Sequence, residues 1–362
     1  MSGCLSRRAV LRAALGAAGA SLLAACQSAS PQPTTTTSAA PALASPSSSS
    51  GVRVASLRTL GEVGQYLAAE RGYFAEQGLE VAFDEIGAGE LLAALASGQV
   101  EVGSGAVAAA LFNAIAREVD LRIVGPQARQ DPGASSQYLM VRKDLADGGQ
   151  FGDYRDLAGK KVAIAESGSS GEHVLGVALQ RGGLQAGDAE VVHMGFPELT
   201  VALGSGAIDL ALQVEPTATT SVERGVAVKW REVSDVAPGL QNTVVLFGPR
   251  LVSQRTDLGR RWMTAYLKGV RDYHAAVLKR GAERPSVVAV LTRWTSVKDA
   301  ALYDKMGFPY IDPNGGINTA SLAELLDDFR GRGLVASVPD LRQVVDPRFA
   351  EAAVQQLGPY PA

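Results

Sequence analysis

One phrase occurs twice in this chain and restricts its architecture more than any other feature. Ala94-Leu95-Ala96-Ser97-Gly98-Gln99-Val100-Glu101-Val102 returns 108 positions later as Ala202-Leu203-Gly204-Ser205-Gly206-Ala207-Ile208-Asp209-Leu210, matching at the leucine, the Ser-Gly pair and the acid that follows. Each copy reads as the end of an apolar helix, a stop at a glycine able to take left-handed backbone, and a short strand. Around the first copy, Leu91, Leu92, Ala94 and Leu95 recur at helical spacing, Val100-Glu101-Val102 alternates as a strand, and Gly103-Ser104-Gly105 reads as a turn opening a second apolar helix. Two glycine turns, after Ile86 and after Val102, are thus expected to hold something small, with Gly89, Glu90, Ser104 and Gly105 as candidate contacts.

The N-terminal residues read as a targeting segment, outside the fold. Ser6-Arg7-Arg8 carries the paired arginines of a twin-arginine export signal, and Ala13 to Ala25 is an apolar run about half as long as a membrane span requires. It ends in Leu23-Ala24-Ala25-Cys26, which resembles the bacterial lipoprotein cleavage box and makes the thiol of Cys26 the acceptor of a lipid. Residues 27–51 are Ser, Thr, Pro and Ala-rich with no acidic or basic residue, a tether reaching on the order of 75 Å if extended. Only Cys4 and Cys26 exist, so the exported chain has neither a disulfide nor a cysteine metal site to offer. Without the three arginines of residues 1–25, the 34 basic residues become 31 against 37 acidic ones, a balance that does not point to nucleic acid.

Beyond the tether, apolar runs at Val52 to Leu57, Glu80 to Asp84, Leu121 to Gly125, Gln137 to Val141, Val162 to Ala165, Glu190 to His193, Ile208 to Gln213 and Thr243 to Phe247 alternate with helical patterns. The pattern predicts an α/β fold with mostly parallel, doubly wound sheets. An amphipathic helix is expected over Glu62 to Arg71, another over Glu172 to Arg181, and helices packed on the outside from Gln254 onward. Gln127 to Ser136, rich in turn formers, is expected to cross between two lobes.

Ligands of such sheets bind where the strands end, so the residues there are the candidates. They are Arg58 and Thr59 after the first strand, Arg129 and Ser136 in the crossing, Tyr138 and Phe196 as stacking rings, and Glu215 at a strand end, where it binds a ligand or caps its own helix. Ser167, Ser169 and Ser170 sit in a small-residue turn with the character of an anion cradle, although it lacks the lysine of a P-loop and is flanked by Glu166 and Glu172. His173, His193 and His274 are too scattered for a metal site or a triad.

Residues 52–250 resemble the periplasmic solute-binding proteins of ABC importers, in the family that includes binders of aliphatic sulfonates, taurine, nitrate and thiamine pyrimidine precursors. Ala69-Glu70-Arg71-Gly72-Tyr73-Phe74-Ala75-Glu76-Gln77-Gly78-Leu79-Glu80-Val81, Ala94-Leu95-Ala96-Ser97-Gly98 with Glu101, Asp156-Leu157-Ala158-Gly159-Lys160-Lys161-Val162, and Gly206-Ala207-Ile208-Asp209 with Glu215-Pro216 carry the resemblance. It implies a two-lobed periplasmic-binding-protein fold of type II that closes on a solute without altering it and without a cofactor or metal. The expected order is a signal peptide at 1–25, a lipidated tether at 26–51, lobe I at 52–128, lobe II at 129–245, and a return to lobe I with C-terminal helices at 246–362. The implied partners are a small solute, a permease and an ATPase, with the protein a monomer held at the outer face of the membrane by its lipid.

Two departures stand out: Glu101 where the family more often has aspartate, and Gly64-Gln65 where a proline and an apolar residue are usual, which makes Gln65 a candidate ligand contact. Glu90, Glu166 and Glu215 near the turns disfavour a small dense anion and favour a vitamin or pyrimidine-like heterocycle. An enzyme of the same fold, or a sensor subunit, is the alternative.

Overall fold

A computed structural model describes residues 50–337 and 339–361; the export signal, Cys26 and nearly all of the tether lie outside them. Ten strands form two five-stranded sheets. The first has the order β2-β1-β3-β10-β4, from Gly51–Ser56 (β1), Glu80–Glu85 (β2), Val102–Ala106 (β3), Arg122–Gln130 (β4) and Leu240–Phe247 (β10). The second has the order β7-β6-β8-β5-β9, from Gln137–Arg142 (β5), Lys161–Ile164 (β6), Glu190–His193 (β7), Leu210–Val214 (β8) and Ala227–Glu232 (β9). Two pairings in each sheet are parallel and two antiparallel, so the two-lobed α/β architecture is built on mixed sheets where mostly parallel ones were expected. The antiparallel partners β10 and β5 are the strands that follow a crossing and run back against the strands of their new sheet.

The repeated phrase does the same job in each half. Helix α1 (Val63–Glu70) precedes it; the two copies end helix α2 (Leu91–Ser97) and, past α3 (Ala109–Ala116) and α4 (Ser170–Arg181), helix α5 (Phe196–Ser205). Gly98 and Gly206 stop those helices with φ of 75° and 73°. The acid that follows then clamps the start of the neighbouring parallel strand. Glu101 accepts the Arg53 N–H at 2.6 Å and pairs with Arg250 at 2.5 Å, while Asp209 accepts the Lys161 N–H at 3.0 Å and pairs with Arg142 at 3.1 Å.

The structure corrects the reading of Gly103-Ser104-Gly105. These residues lie inside β3, not in a turn, and the next helix starts at Ala109. A Cβ on Gly103 would stand 2.5 Å from Leu91 Cδ1, and one on Gly105 2.6 Å from Leu91 Cδ2. The glycines exist to let α2 settle on the strand. Gly105→Val is expected to lower stability by about 1–3 kcal/mol in urea unfolding, and Leu91→Ala in the same chain to return part of the loss that it would otherwise add to.

Helix α1 is buried from Val63 through Ala68, not amphipathic, because it is covered on its outer side by α7 (Thr256–Tyr273), which follows the short α6 (Thr217–Glu223). Helix α7 lies on the outside, as expected, and buries one whole face: Trp262, Tyr266 and Tyr273 are fully buried while Asp257 and Arg260 are exposed, and Trp262 stacks on Tyr266 with ring centroids 5.2 Å apart. Helix α8 (Thr319–Gly331) packs on both α3 and α4, and Leu322, Leu325, Leu326 and Phe329 join a single apolar cluster with residues of both sheets. No described helix is long and apolar enough to cross a membrane.

The chain passes between sheets from Gln130 to Gln137 and from Glu232 to Leu240. These crossings run side by side, since Leu240 pairs with Gln130 and the Gly239 N–H donates to the Gln130 carbonyl at 2.8 Å. A buried amide chain braces them: Gln130 Nε2 donates to Asn242 Oδ1 at 2.9 Å, and Asn242 Nδ2 to Gln137 Oε1 at 3.0 Å.

Candidate functional site

Strands β1, β3, β6 and β8 all end at one crevice between the sheets, where a cavity of about 70 Å³ lies. Leu57, Thr59, Gly105, Ala106, Gln127 and Thr243 line it from the first half, and Ile164, Glu166, Ser169, Ser170, Phe196 and Val214 from the second, with Gln137 and Asn242 at the crossings. The walls meet through the main chain. The Ala109 N–H donates to the Gly168 carbonyl and the Ser170 N–H to the Val107 carbonyl, each at 2.8 Å, and Ser170 Oγ donates to the Asn242 carbonyl at 3.1 Å.

The floor on the first side is fixed by a buried carboxylate. Glu62 accepts the Leu57 N–H at 2.7 Å and the Ser56 hydroxyl at 2.5 Å, together with the Tyr66 hydroxyl. Burial pushes its pKa up from the ordinary glutamate value, against the pull of these donors. This bracket holds Arg58 at φ 57°, left-handed backbone that a non-glycine residue adopts only where its surroundings insist.

Polar groups on this side lack partners in the protein. Gln65 (both amide atoms), Ser104 Oγ, Gln127 Oε1 and Thr243 Oγ1 are buried and unpaired, with Gln65 0%, Ser104 1% and Gln127 2% exposed. Ser104, Thr243 and Gln127 belong to the adjacent strands β3, β10 and β4, and the Gln127 amide lies against Gly61, one turn before Gln65. A buried polar group without a partner costs about 1–3 kcal/mol. Several together constitute unused hydrogen-bonding capacity.

The cavity lining includes no Lys, Arg or His; its one ionisable group is Glu166. Burial pushes the Glu166 carboxyl up to about 7. Folding into this state therefore takes up a proton, a contribution fully present below the ordinary glutamate range and lost as pH rises through about 7. The melting temperature of the wild type should accordingly fall relative to Glu166→Gln between about pH 5 and about pH 8, in a scan of both proteins by differential calorimetry.

Of the residues expected at the site, Thr59, Gly105, Ser169, Ser170 and Phe196 come together on the cavity. Gln65 and Ser104 are buried with the unpaired polar set. Gly89, Glu90 and Ser167 are exposed in turns next to the lining residues Ala88 and Glu166. The others are engaged elsewhere. Arg58 reaches Glu85 at 3.7 Å and the Trp294 ring, and Arg129 pairs with Asp131 at 2.6 Å beneath the Tyr310 ring. Ser136 accepts the Glu215 N–H in the crossing, and Tyr138 borders a separate surface cavity beneath Lys229. Glu215 caps its own helix, accepting from the Thr219 N–H at 3.0 Å and the Thr219 hydroxyl at 2.9 Å, and pairs with Lys229 at 2.5 Å. The expected anion cradle has its Ser170 N–H committed to Val107, and the Glu172 and His173 N–H groups to the Ser169 carbonyl.

Sequence reasoning did not select Gln127, Gln137, Asn242, Thr243 or Glu166 as contacts. Polar side chains at the start of apolar strand patterns were the available signal for Gln137 and Thr243, whereas Gln127 and Asn242 fell outside the expected strands. Among the described residues, no cluster of three His, Cys, Asp or Glu is placed to hold a metal.

The family described as NMT1/THI5 like matches residues 62–276. No curated protein matches the chain by sequence. Among solved structures, the fold is similar to the periplasmic nitrate-binding protein NrtA of Synechocystis PCC 6803, with TM-score 0.72 and 12% identity over 85% of this chain and 89% of that one. A zinc-bound ligand-binding component of an ABC-type import system of Staphylococcus aureus gives TM-score 0.69 and 14% identity over 84% and 98%. The periplasmic aliphatic sulphonate-binding protein SsuA of Escherichia coli gives 0.63 and 19% over 82% and 98%.

Proposed function

The chain belongs to the NMT1/THI5-like family, and on that footing we propose that it is the solute-binding subunit of an ABC importer, anchored outside the cell by a lipid on Cys26. It captures one small polar solute between its two sheets, as a monomer, and hands it unchanged to a permease driven by an ATPase. The observation that carries this reading is the cavity between the sheets, whose lining includes Gln127 Oε1 and Thr243 Oγ1, two buried acceptors without a partner in the protein. The similar structures that bind nitrate and a sulphonate support the general role.

The lining favours a different solute from theirs. A nitrate or sulfonate buried here would face a carboxyl and no cationic side chain, and desolvating an anion without a counter-charge is costly. A vitamin or pyrimidine-like heterocycle offers the donors that Gln127 Oε1 and Thr243 Oγ1 lack. The cavity, at about 70 Å³, is several-fold below the 300–1,000 Å³ of ordinary ligand pockets. A heterocycle therefore enters by parting the Ala109–Gly168 and Ser170–Val107 backbone bonds, and the lobes re-close around it.

A thermal-shift screen over vitamins, pyrimidines, sulfonates and nitrate tests the proposal, because a ligand at a hundred times its Kd adds about 2.7 kcal/mol of stability. The expected result is a clear shift from one polar heterocycle, recovered unchanged by mass spectrometry. Recovery of a converted product would replace the binding role with an enzymatic one.

A further inference from the structure

We infer that Glu166 is the specificity-determining residue of the cleft and selects solutes that bring a positive charge or a strong N–H donor to the second-sheet wall. This rests on the solute-binding reading above and narrows it to a chemical class.

The geometry carries the assignment. Glu166 follows β6 at the mouth of the crevice and lines both the main cavity and a smaller one beside it, where its neighbours are Ala88, Leu91, Leu92, Gly105, Ala106 and Leu246. Glu166 is half-buried and its carboxyl has no hydrogen-bond or ion-pair partner among the described residues, whereas the fully buried carboxylates Glu62 and Glu215 are served, the first by Ser56, Leu57 and Tyr66 and the second by Thr219 and Lys229. The elements packed against it, α2, β3, β10 and the start of α4, place no other titratable side chain on either cavity. Nearby charges are turned away: Glu90 is exposed at the start of α2, and Glu172 is occupied by His193 and Arg332. The raised pKa of the carboxyl has burial as its sole cause, as expected of a group walled by apolar side chains with nothing to neutralise it.

A ligand cation or N–H pair supplies the missing partner. A carboxylate in a low-dielectric wall forms charge-assisted hydrogen bonds worth about twice a neutral one, and it repels an anion of the same size. The two walls thus divide the recognition. Gln127 Oε1 and Thr243 Oγ1 on the first side take neutral polar edges, and Glu166 takes the basic end.

Matched probes decide the matter: benzamidinium, its neutral isostere benzamide, methanesulfonate and nitrate, titrated by calorimetry into the full chain and into Glu166→Gln, alongside the screen above. Expected is binding of the amidinium by the wild type, weakened at least tenfold in Glu166→Gln, with any benzamide binding unchanged. A wild-type measurement needs no variant: affinity for the amidinium, charged throughout, should rise about thirtyfold from pH 5.5 to pH 8.5 as the carboxyl ionises. Binding of an anion alone, or an amidinium affinity that ignores both pH and Glu166→Gln, overturns the inference and leaves solute binding standing. Absence of binding by every probe and every library member overturns both.

Discussion

Gly269→Ala should destabilise the protein by about 3 kcal/mol, among the largest effects available from adding one methyl group. A Cβ at this position of α7 would sit 2.1 Å from the Gly64 carbonyl oxygen and 3.0 Å from the Ala68 nitrogen of α1. Both obstacles are backbone, so no rotamer change relieves the clash, and the helices must separate. Gly64 makes the mirror contact, its own Cβ position lying 2.6 Å from Val270 Cγ2. Urea unfolding followed by circular dichroism measures the loss, and an unchanged midpoint would show that the helices do not touch in this way. The change should also disturb the cavity, because α1 follows the Leu57–Glu62 bracket and Leu57 is one of the lining residues.

The second large effect is expected at Lys229. Its ammonium donates to Glu215 at 2.5 Å, to the Thr219 hydroxyl at 3.0 Å and to the Lys305 carbonyl at 3.1 Å, and it lies 4.3 Å from the centre of the Tyr138 ring. Glu215 is 0% exposed at its side chain, so Lys229→Met leaves a buried carboxylate without its counter-charge, a change that costs about 3–5 kcal/mol. The double variant Lys229→Met with Glu215→Gln should recover more than half of that, since the orphaned charge is gone while the amide oxygen still caps the Thr219 N–H. Strict additivity of the two single changes would show that the pair is not coupled.

What the chain discloses about itself divides along the range of the interactions involved. The Ser-Gly stops were legible because left-handed backbone at Gly98 and Gly206 is a local property of glycine. The acids that follow them were visible as a repeat, yet their shared role as clamps on Arg53 and Lys161 depends on strand neighbours 48 residues away. Gly103 and Gly105 misled for the same reason. Glycine reports that no side chain fits, and whether a turn or a helix fills the space is decided by Leu91 of the helix packed on the strand. Gln65 was legible as an unusual polar residue and lies buried and unpaired, but the capping of Glu215 by Lys229 required knowing which strand lies beside β5. Glu166 was legible as a charge unfriendly to anions; its exclusion from every ion pair was not.

The two crossings, paired antiparallel at Gln130 and Leu240, stand as a pivot pin between the sheets. Any motion that parts the sheets must turn about that double strap, so the edges farthest from it travel most. Asn242 and Gln137 form the inner end of the pin and also touch the cavity. A pull on either amide from the cavity side therefore loads the strap itself, so that the angle between the sheets is tied to what the cavity holds.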